Sequence, residues 1–330
     1  MKIGIAGVHY GHIGGMFRSA INAPNGEVIG LYEPDDDLFH KYADARGLER
    51  YDSLEALVEA SDLVAEGLRH EEKADLVEIC ARHQVQVFLD KPLCRNDDDF
   101  LRIENAVRQS GIKLTMNFTS RCHPPFVALR EVIRNGELGE IVSLITTHPH
   151  KLGNSAPDWY FDSSRYAGVF HDLAGHGVDQ ILWLTDATAT AVHALSTVKR
   201  WTDEPKLEVD HVQASIQLSS GALALATADW LTPRNSPSFG DTRFVIMGTE
   251  GSAHLRAYAE NALLICSERN GRYSPELPEV SNACFVENTI GAFERDEENF
   301  VSTQDVLKVA RTCLAVERSA KKDGELIRLD

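Results

Sequence analysis

Short apolar runs alternating with helix-patterned stretches fill residues 1 to about 118, and that alternation restricts the fold more than any other feature of the chain. The runs KIGIAG (2–7), EVIGLYE (27–33), DLVAEG (62–67), VQVFLD (85–90) and KLTMNF (113–118) read as strands. Between them, Glu72 to Arg82 and Asp97 to Gln109 mix polar and apolar residues at three- and four-residue spacing, as helices do. Strand, helix, strand at this spacing predicts βαβ units, and runs this apolar suit a parallel sheet covered on both faces.

After Phe118 the pattern changes. A helix over about 124–135 stops at Asn135-Gly136, and long alternating segments follow: EIVSLITTH, TATAVHALSTV, DHVQASIQL, ALALATADW, TRFVIMG and SAHLRAY. DHVQASIQL and ALALATADW, joined through Gly221, form an expected hairpin. The second half is therefore read as a largely antiparallel sheet with a few helices. Two domains result, 1–118 and 119–330, which suits a chain of 330 residues. Acidic runs at Asp35-Asp36-Asp37, Asp97-Asp98-Asp99 and Asp296-Glu297-Glu298 are placed near helix starts, where carboxylates accept the unpaired N–H groups.

The net charge of −17, with no basic stripe, argues against a nucleic-acid partner. Six scattered cysteines without a C-x-x-C pair fit reduced thiols in a cytoplasm and make zinc and structural disulfides unexpected. Nowhere do 18 apolar residues run together, so no membrane span is expected.

The first strand feeds GVHYGHIGG, residues 7–15. A strand, a tight turn and a helix start leave backbone N–H groups free to hold a pyrophosphate, and Gly7, Gly11 and Gly14 supply the flexible backbone. Their spacing is G-x-x-x-G-x-x-G, with His9 where a dinucleotide loop has its second glycine, so a turn widened between Gly7 and Gly11 is expected. The residues offered to the cofactor are Gly7, His9, Tyr10, Gly11, His12, Ile13 and Gly14. Glu33, ending the next strand run, suits the adenosine ribose hydroxyls and repels a 2′-phosphate, which favours NAD over NADP. His9 and His12 lack a third ligand in the turn, so no metal is expected there.

In RYAGVFHDLAGHGVDQILWL (165–184), Asp172, His176 and Asp179 fall at i, i+4 and i+7 and would share one stripe of a helix. Polar groups on one stripe are costly to bury unless they serve one another or a ligand. Two readings stay open: a helix-start acid with an interior histidine and its partner Asp179, or a histidine oriented by a carboxylate for moving a hydroxyl proton. Lys91 follows VQVFLD at the strand end where doubly wound sheets bind ligands, and Pro92 restricts it to extended backbone.

These residues resemble the Gfo/Idh/MocA family, the glucose-fructose oxidoreductase and inositol dehydrogenase group. The resemblance is carried by the glycine loop, LDKPL (89–93), RNGELGEIVSL (134–144), AGVFHDLAGHGVDQILWL (167–184), IMGTEGSAHL (246–255) and the closing FVSTQDVLKVARTCLAVERSA. It implies an α/β chain: an N-terminal Rossmann domain, then an α+β domain on a large open-faced mixed sheet whose exposed face mediates homodimers or homotetramers. It further implies that Lys91 contacts the substrate hydroxyl and the nicotinamide region, with Asp90 where the family has glutamate. Asp172 is implied to bind substrate hydroxyls, His176 to give and take the proton, and Asp179 to support them. Departures stand at Tyr166-Ala167-Gly168, at Ala174-Gly175, and in the third cofactor loop, Gly67-Leu68-Arg69-His70, where Leu68 is the cofactor contact.

The expectation is an NAD-dependent dehydrogenase of a secondary alcohol on a sugar, inositol or related polyol. Lys91, Asp172 and His176 are its catalytic residues, and Arg121, His148, Trp159 and Tyr160 help line the substrate pocket. His150 is a further flanking candidate. Two alternatives keep the fold: transient oxidation driving glycosidic cleavage or epimerisation, and a non-catalytic dinucleotide-binding sensor.

Overall fold

The computed structural model describes residues 1–9, 12–21, 25–153, 156–203, 205–281 and 284–329. The chain divides into two compact units, 1–118 with 281–307, and 119–280 with 308–330.

The first unit runs β1 (Lys2–Ala6), α1 (Ile13–Ile21), β2 (Glu27–Tyr32), α2 (Asp36–Ala43), α3 (Leu54–Ala60), β3 (Leu63–Glu66), α4 (Lys73–His83), β4 (Gln86–Leu89), α5 (Asp97–Ser110) and β5 (Leu114–Met116). The strands form a five-stranded parallel sheet in the order β2-β1-β3-β4-β5. Ile3, Ile5, Leu63, Val64, Val87, Leu89 and Leu114 are buried in it. Acidic and amide caps start the helices: Asp35 accepts from the Leu38 amide at α2, and Asn96 from the Asp99 amide at α5. Four strands stop one residue short of the apolar runs. Gly7, Glu33, Gly67 and Asp90 each lie just past a strand end.

The second unit contains α6 (Pro124–Arg134), β6 (Ile141–Pro149), α7 (Val169–Leu173), α8 (Gly175–Thr185), β7 (Ala189–Thr197), β8 (His211–Leu218), β9 (Leu223–Asp229), β10 (Arg243–Gly248), β11 (Gly251–Arg256), β12 (Leu263–Ser267) and β13 (Gly271–Tyr273). Later in the chain come α9 (Cys284–Glu294), which belongs to the first unit, α10 (Thr303–Lys321) and β14 (Ile327–Arg328). The second sheet has nine strands in the order β13-β12-β11-β10-β6-β9-β8-β7-β14. Its pairs are antiparallel apart from β6 with β9. One face is buried under α7 and α8, and the alanines of β9 (Ala224, Ala226, Ala228) leave these helices room. The other face carries exposed Val142, Leu195, Leu223 and Met247.

The boundary drawn from sequence, with all of 119–330 in one domain, is corrected by residues 281–307. They pack with the first unit because α9 brings apolar surface to its sheet. The Phe285 ring stacks on Phe88 at 5.6 Å, and beyond α9 the Thr303 hydroxyl accepts from the Leu114 amide at 3.0 Å while the Thr115 hydroxyl donates to the Val301 carbonyl. Asp296-Glu297-Glu298 lies between α9 and α10, where the Glu298 carboxylate accepts from the Thr303 amide at the start of α10.

Candidate functional site

In the first unit, three strand ends are drawn together by glycine. Gly7 has φ +68°, and a side chain there would meet Leu68 at 2.5 Å; one on Gly67 would meet Ile13 at 2.8 Å. The Gly7 amide donates to Tyr32 O and the His9 amide to Gly67 O, both at 2.8 Å, so the loop after β1 is tied to the ends of β2 and β3. Ile13 and Gly14 open α1, which has no acid in its first turn. That end of the helix thus sets no carboxylate of its own in its first turn against an anion. Tyr10 and Gly11 lie outside the described residues, and the expected widening of the turn lies there with them.

Both loop histidines are bonded to an acid just past a strand. The Glu33 side chain is fully buried; one oxygen accepts from the Val8 amide at 3.0 Å, the other from the Asp35 amide at 3.0 Å, with His9 Nε2 3.3 Å away. Burial works against its charge, but the His9 bond and the two amides outweigh burial and hold Glu33 below the ordinary carboxylate value. His12 Nδ1 lies 3.2 Å from both oxygens of Asp90, whose carboxylate also accepts from the Lys91 amide at 2.9 Å. The aspartate that stands before the lysine in place of the family's glutamate is thus bonded to a histidine of the loop.

Lys91 itself is buried, and its bond to Pro92 is cis. A second lysine holds this corner. Lys73, at the start of α4, is 0% exposed; its Nζ donates to Asp90 O at 2.6 Å and Pro92 O at 2.9 Å and pairs with Glu66 at 2.9 Å. Glu66 in turn accepts from the Asp90 amide at 2.7 Å and the Leu68 amide at 2.9 Å. Burial pushes the Glu66 carboxyl up, with Lys73 opposing and the Asp90 charge adding. Asp90 is held below its usual value because His12, Lys73 and Lys91 together exceed the effect of burial. Glu66 and Lys73 escaped the sequence reading, although a glutamate inside the apolar run DLVAEG was a visible signal.

In the second unit the expected single helix is broken at Ala174, so Asp172 lies on α7 and His176 and Asp179 on α8. The start of α7 is capped from far along the chain. Glu317 of α10 accepts from the Phe170 and His171 amides at the start of α7, and the Ala174 carbonyl receives the Val178 amide that starts α8. Gly168, at φ +99°, admits that carboxylate, since a side chain there would approach Glu317 to 2.5 Å.

Asp172 is fully buried and accepts from the Tyr166 hydroxyl at 2.7 Å. Burial and the neighbouring Asp172 charge raise the Tyr166 phenol well above its ordinary value, so it stays a donor. Trp159, Tyr160, Tyr166 and Trp230 form an aromatic cluster around it, with Trp159 and Tyr160 at 4.5 Å and Tyr160 and Tyr166 at 5.2 Å. His176 is half-buried. His148 is bonded to the Thr146 hydroxyl at 2.8 Å and packs on Gly177, where a side chain would come within 2.0 Å of its Nε2. Asp179 is held by Arg121 at 2.6 Å, and that buried guanidinium lies 5.7 Å from the Trp183 ring. Arg121 therefore serves α8. Away from both sites, Glu55, Glu59 and His83 hold ligand atoms within 4.8 Å of one another, with His83 and Arg82 already paired to Glu55.

Comparison with known proteins fixes the class. Residues 1–118 match the oxidoreductase family with an NAD-binding Rossmann fold, and residues 126–254 match the GFO/IDH/MocA C-terminal domain. The chain belongs to the Gfo/Idh/MocA family of NAD-binding oxidoreductases. It is 25% identical over 265 residues to the inositol 2-dehydrogenase of Rhizobium meliloti, covering 77% of this chain and 76% of that protein. The uncharacterized oxidoreductase YrbE of Bacillus subtilis is 25% identical over 218 residues, 64% of this chain; the match spans 56% of YrbE's length. Among solved structures, a levoglucosan dehydrogenase in complex with NADH superposes with a TM-score of 0.87 at 19% identity, over 100% of this chain and 99% of that one.

The first unit fits this cofactor. The α1 N-terminus carries no competing acid, the glycines at 7 and 67 admit close backbone approach, and a buried carboxylate stands at the end of β2. No helix among the described residues is long and apolar enough to cross a membrane.

Proposed function

We propose that the protein is an NAD-dependent dehydrogenase of a secondary alcohol on a sugar, inositol or related polyol. NAD, when bound, supplies the hydride acceptor; Gly7, Ile13, Gly14, Glu33 and Leu68 would hold it. The observation that carries the substrate reading is the pair Asp172 and His176, a fully buried carboxylate bonded by Tyr166 and a half-buried imidazole at the start of the next helix.

Asp172 accepts a substrate hydroxyl, its second role as acceptor for Tyr166 fixing which way it points. His176 takes the hydroxyl proton as the alcohol is oxidised and returns it in the reverse direction. The Lys91 ammonium donates to a hydroxyl oxygen and favours its ionised form, on a backbone that Lys73 clamps at two carbonyls. Trp159 and Tyr160 offer apolar faces to the C–H side of a ring, and His148 supports α8 through Gly177. The exposed face of the nine-stranded sheet, with Val142, Leu195, Leu223 and Met247, is proposed to pair with a second copy, in a cytoplasmic homo-oligomer.

The test is a panel of polyols, inositols and sugars assayed with NAD and NADP for appearance of the reduced cofactor. Turnover on at least one secondary alcohol is expected. Proven NAD binding with silence across the panel overturns the reading. Sedimentation of Leu195→Asp, expected as a monomer beside an oligomeric parent, tests the sheet face.

A further inference from the structure

Glu33 is offered above as the acid for the adenosine ribose hydroxyls, yet its carboxylate is already engaged. Its oxygens accept the Val8 and Asp35 amides at 3.0 Å each, and His9 Nε2 lies 3.3 Å from the second oxygen. The Glu33 side chain is 0% exposed, and that of His9 is 11% exposed. The two amides belong to fixed backbone at the strand end. The imidazole alone of these partners is a side chain, and it stands where a dinucleotide loop has a glycine and hence nothing.

Other charges near this acid are directed elsewhere. Arg50 donates to the Glu33 carbonyl at 2.8 Å and pairs with Asp36, while Arg69 pairs with Glu72 and Glu71. Among the described residues, His9 is the side chain bonded to the Glu33 carboxylate.

We propose that His9 is a specificity-determining residue for the dinucleotide, a displaceable cover on Glu33 that competes with the ribose hydroxyls for this carboxylate. Two consequences follow from one contact. An NAD ribose gains Glu33 only by displacing His9, which lowers affinity. The imidazole also shares the negative charge, which weakens the repulsion of a 2′-phosphate and narrows the preference for NAD over NADP. The glycine missing from the loop is on this account a device that loosens cofactor choice. The proposal rests on Glu33 being the ribose acid, and its test separates the two ideas.

The experiment is equilibrium titration of the full chain with NADH and with NADPH, followed calorimetrically, for the parent, His9→Ala, His9→Asn, Glu33→Gln and the double variant His9→Ala/Glu33→Gln. His9→Ala is expected to tighten NADH by about tenfold, the scale of one net hydrogen bond, and to widen the NADH-over-NADPH ratio. His9→Asn, which keeps a side chain and a donor at this position, should fall between parent and His9→Ala. Glu33→Gln should weaken NADH, and adding His9→Ala to it should bring no gain.

If His9→Ala leaves NADH binding unchanged or weaker while Glu33→Gln still weakens it, the cover is overturned and the ribose acid stands. If Glu33→Gln leaves both dinucleotides bound as in the parent, the ribose acid falls, and the cover with it. Circular dichroism of each variant shows whether it has folded, and His9→Asn carries the test should His9→Ala not fold.

Discussion

The two candidate sites solve opposite problems with polar groups. In the first unit each acid has a basic side chain beside it: Glu33 has His9, Asp90 has the half-exposed His12, and Glu66 has the buried Lys73. In the second, Asp172 is partnered by a neutral phenol inside an aromatic cluster, and the buried ion pair Arg121–Asp179 braces α8. Burying a charge is tolerable with an opposite charge and several hydrogen bonds, and Lys73 has both. The Tyr166 hydroxyl orients the Asp172 carboxylate, and an oriented acceptor suits the proposed recognition of a hydroxyl. The first site thus sets basic side chains against its acids, whereas in the second a phenol orients the buried carboxylate.

The largest effect that would sharpen this contrast belongs to the second unit. His176→Ala is expected to lower kcat by about 10²- to 10⁴-fold, the range of a lost general base, while NADH affinity stays as in the parent. An equal loss of cofactor binding would break the separation. Next, Lys73→Met strands Glu66 in the core, and chemical denaturation should show about 3–5 kcal/mol lost. Glu66→Leu/Lys73→Met removes both charges and should recover most of it. Tyr166→Phe takes one donor from buried Asp172, a cost of about 1–3 kcal/mol in the same assay, and should raise KM for the polyol more than that for NAD.

The smallest effect concerns pH. The Glu33 carboxyl lies below its unfolded value when folded, so its stabilisation is complete above the unfolded value and fades as pH drops through the folded one. Glu33→Gln should flatten that part of the acid limb in a melting-temperature profile. An unchanged acid limb would show that Glu33 pairs no better in the fold than in the open chain.

Much of this was legible from residue order because periodicity reports burial. All five strand runs of the first unit became strands, and EIVSLITTH or DHVQASIQL became strands with the expected alternation. Turn chemistry was equally direct: Asn135-Gly136 ends α6, and Gly221, at φ +89°, turns the hairpin. What stayed hidden depends on partners far along the chain. The cap on α7 needs Glu317, the clamp on Lys91 needs Lys73, and nothing local to GVHYGHIGG says that its histidines meet Glu33 and Asp90. The return of 281–307 to the first unit likewise depends on Phe285 finding Phe88.

That return sets a timetable for synthesis. A ribosome adds roughly 5–20 residues per second, so roughly 10–40 s separate the emergence of residue 118 from that of residue 307. Through this interval the five strands of the first sheet exist without α9, and Phe88 awaits the ring that stacks on it. The nascent nucleotide-binding half is therefore a natural client for chaperones until the last tenth of the chain is made.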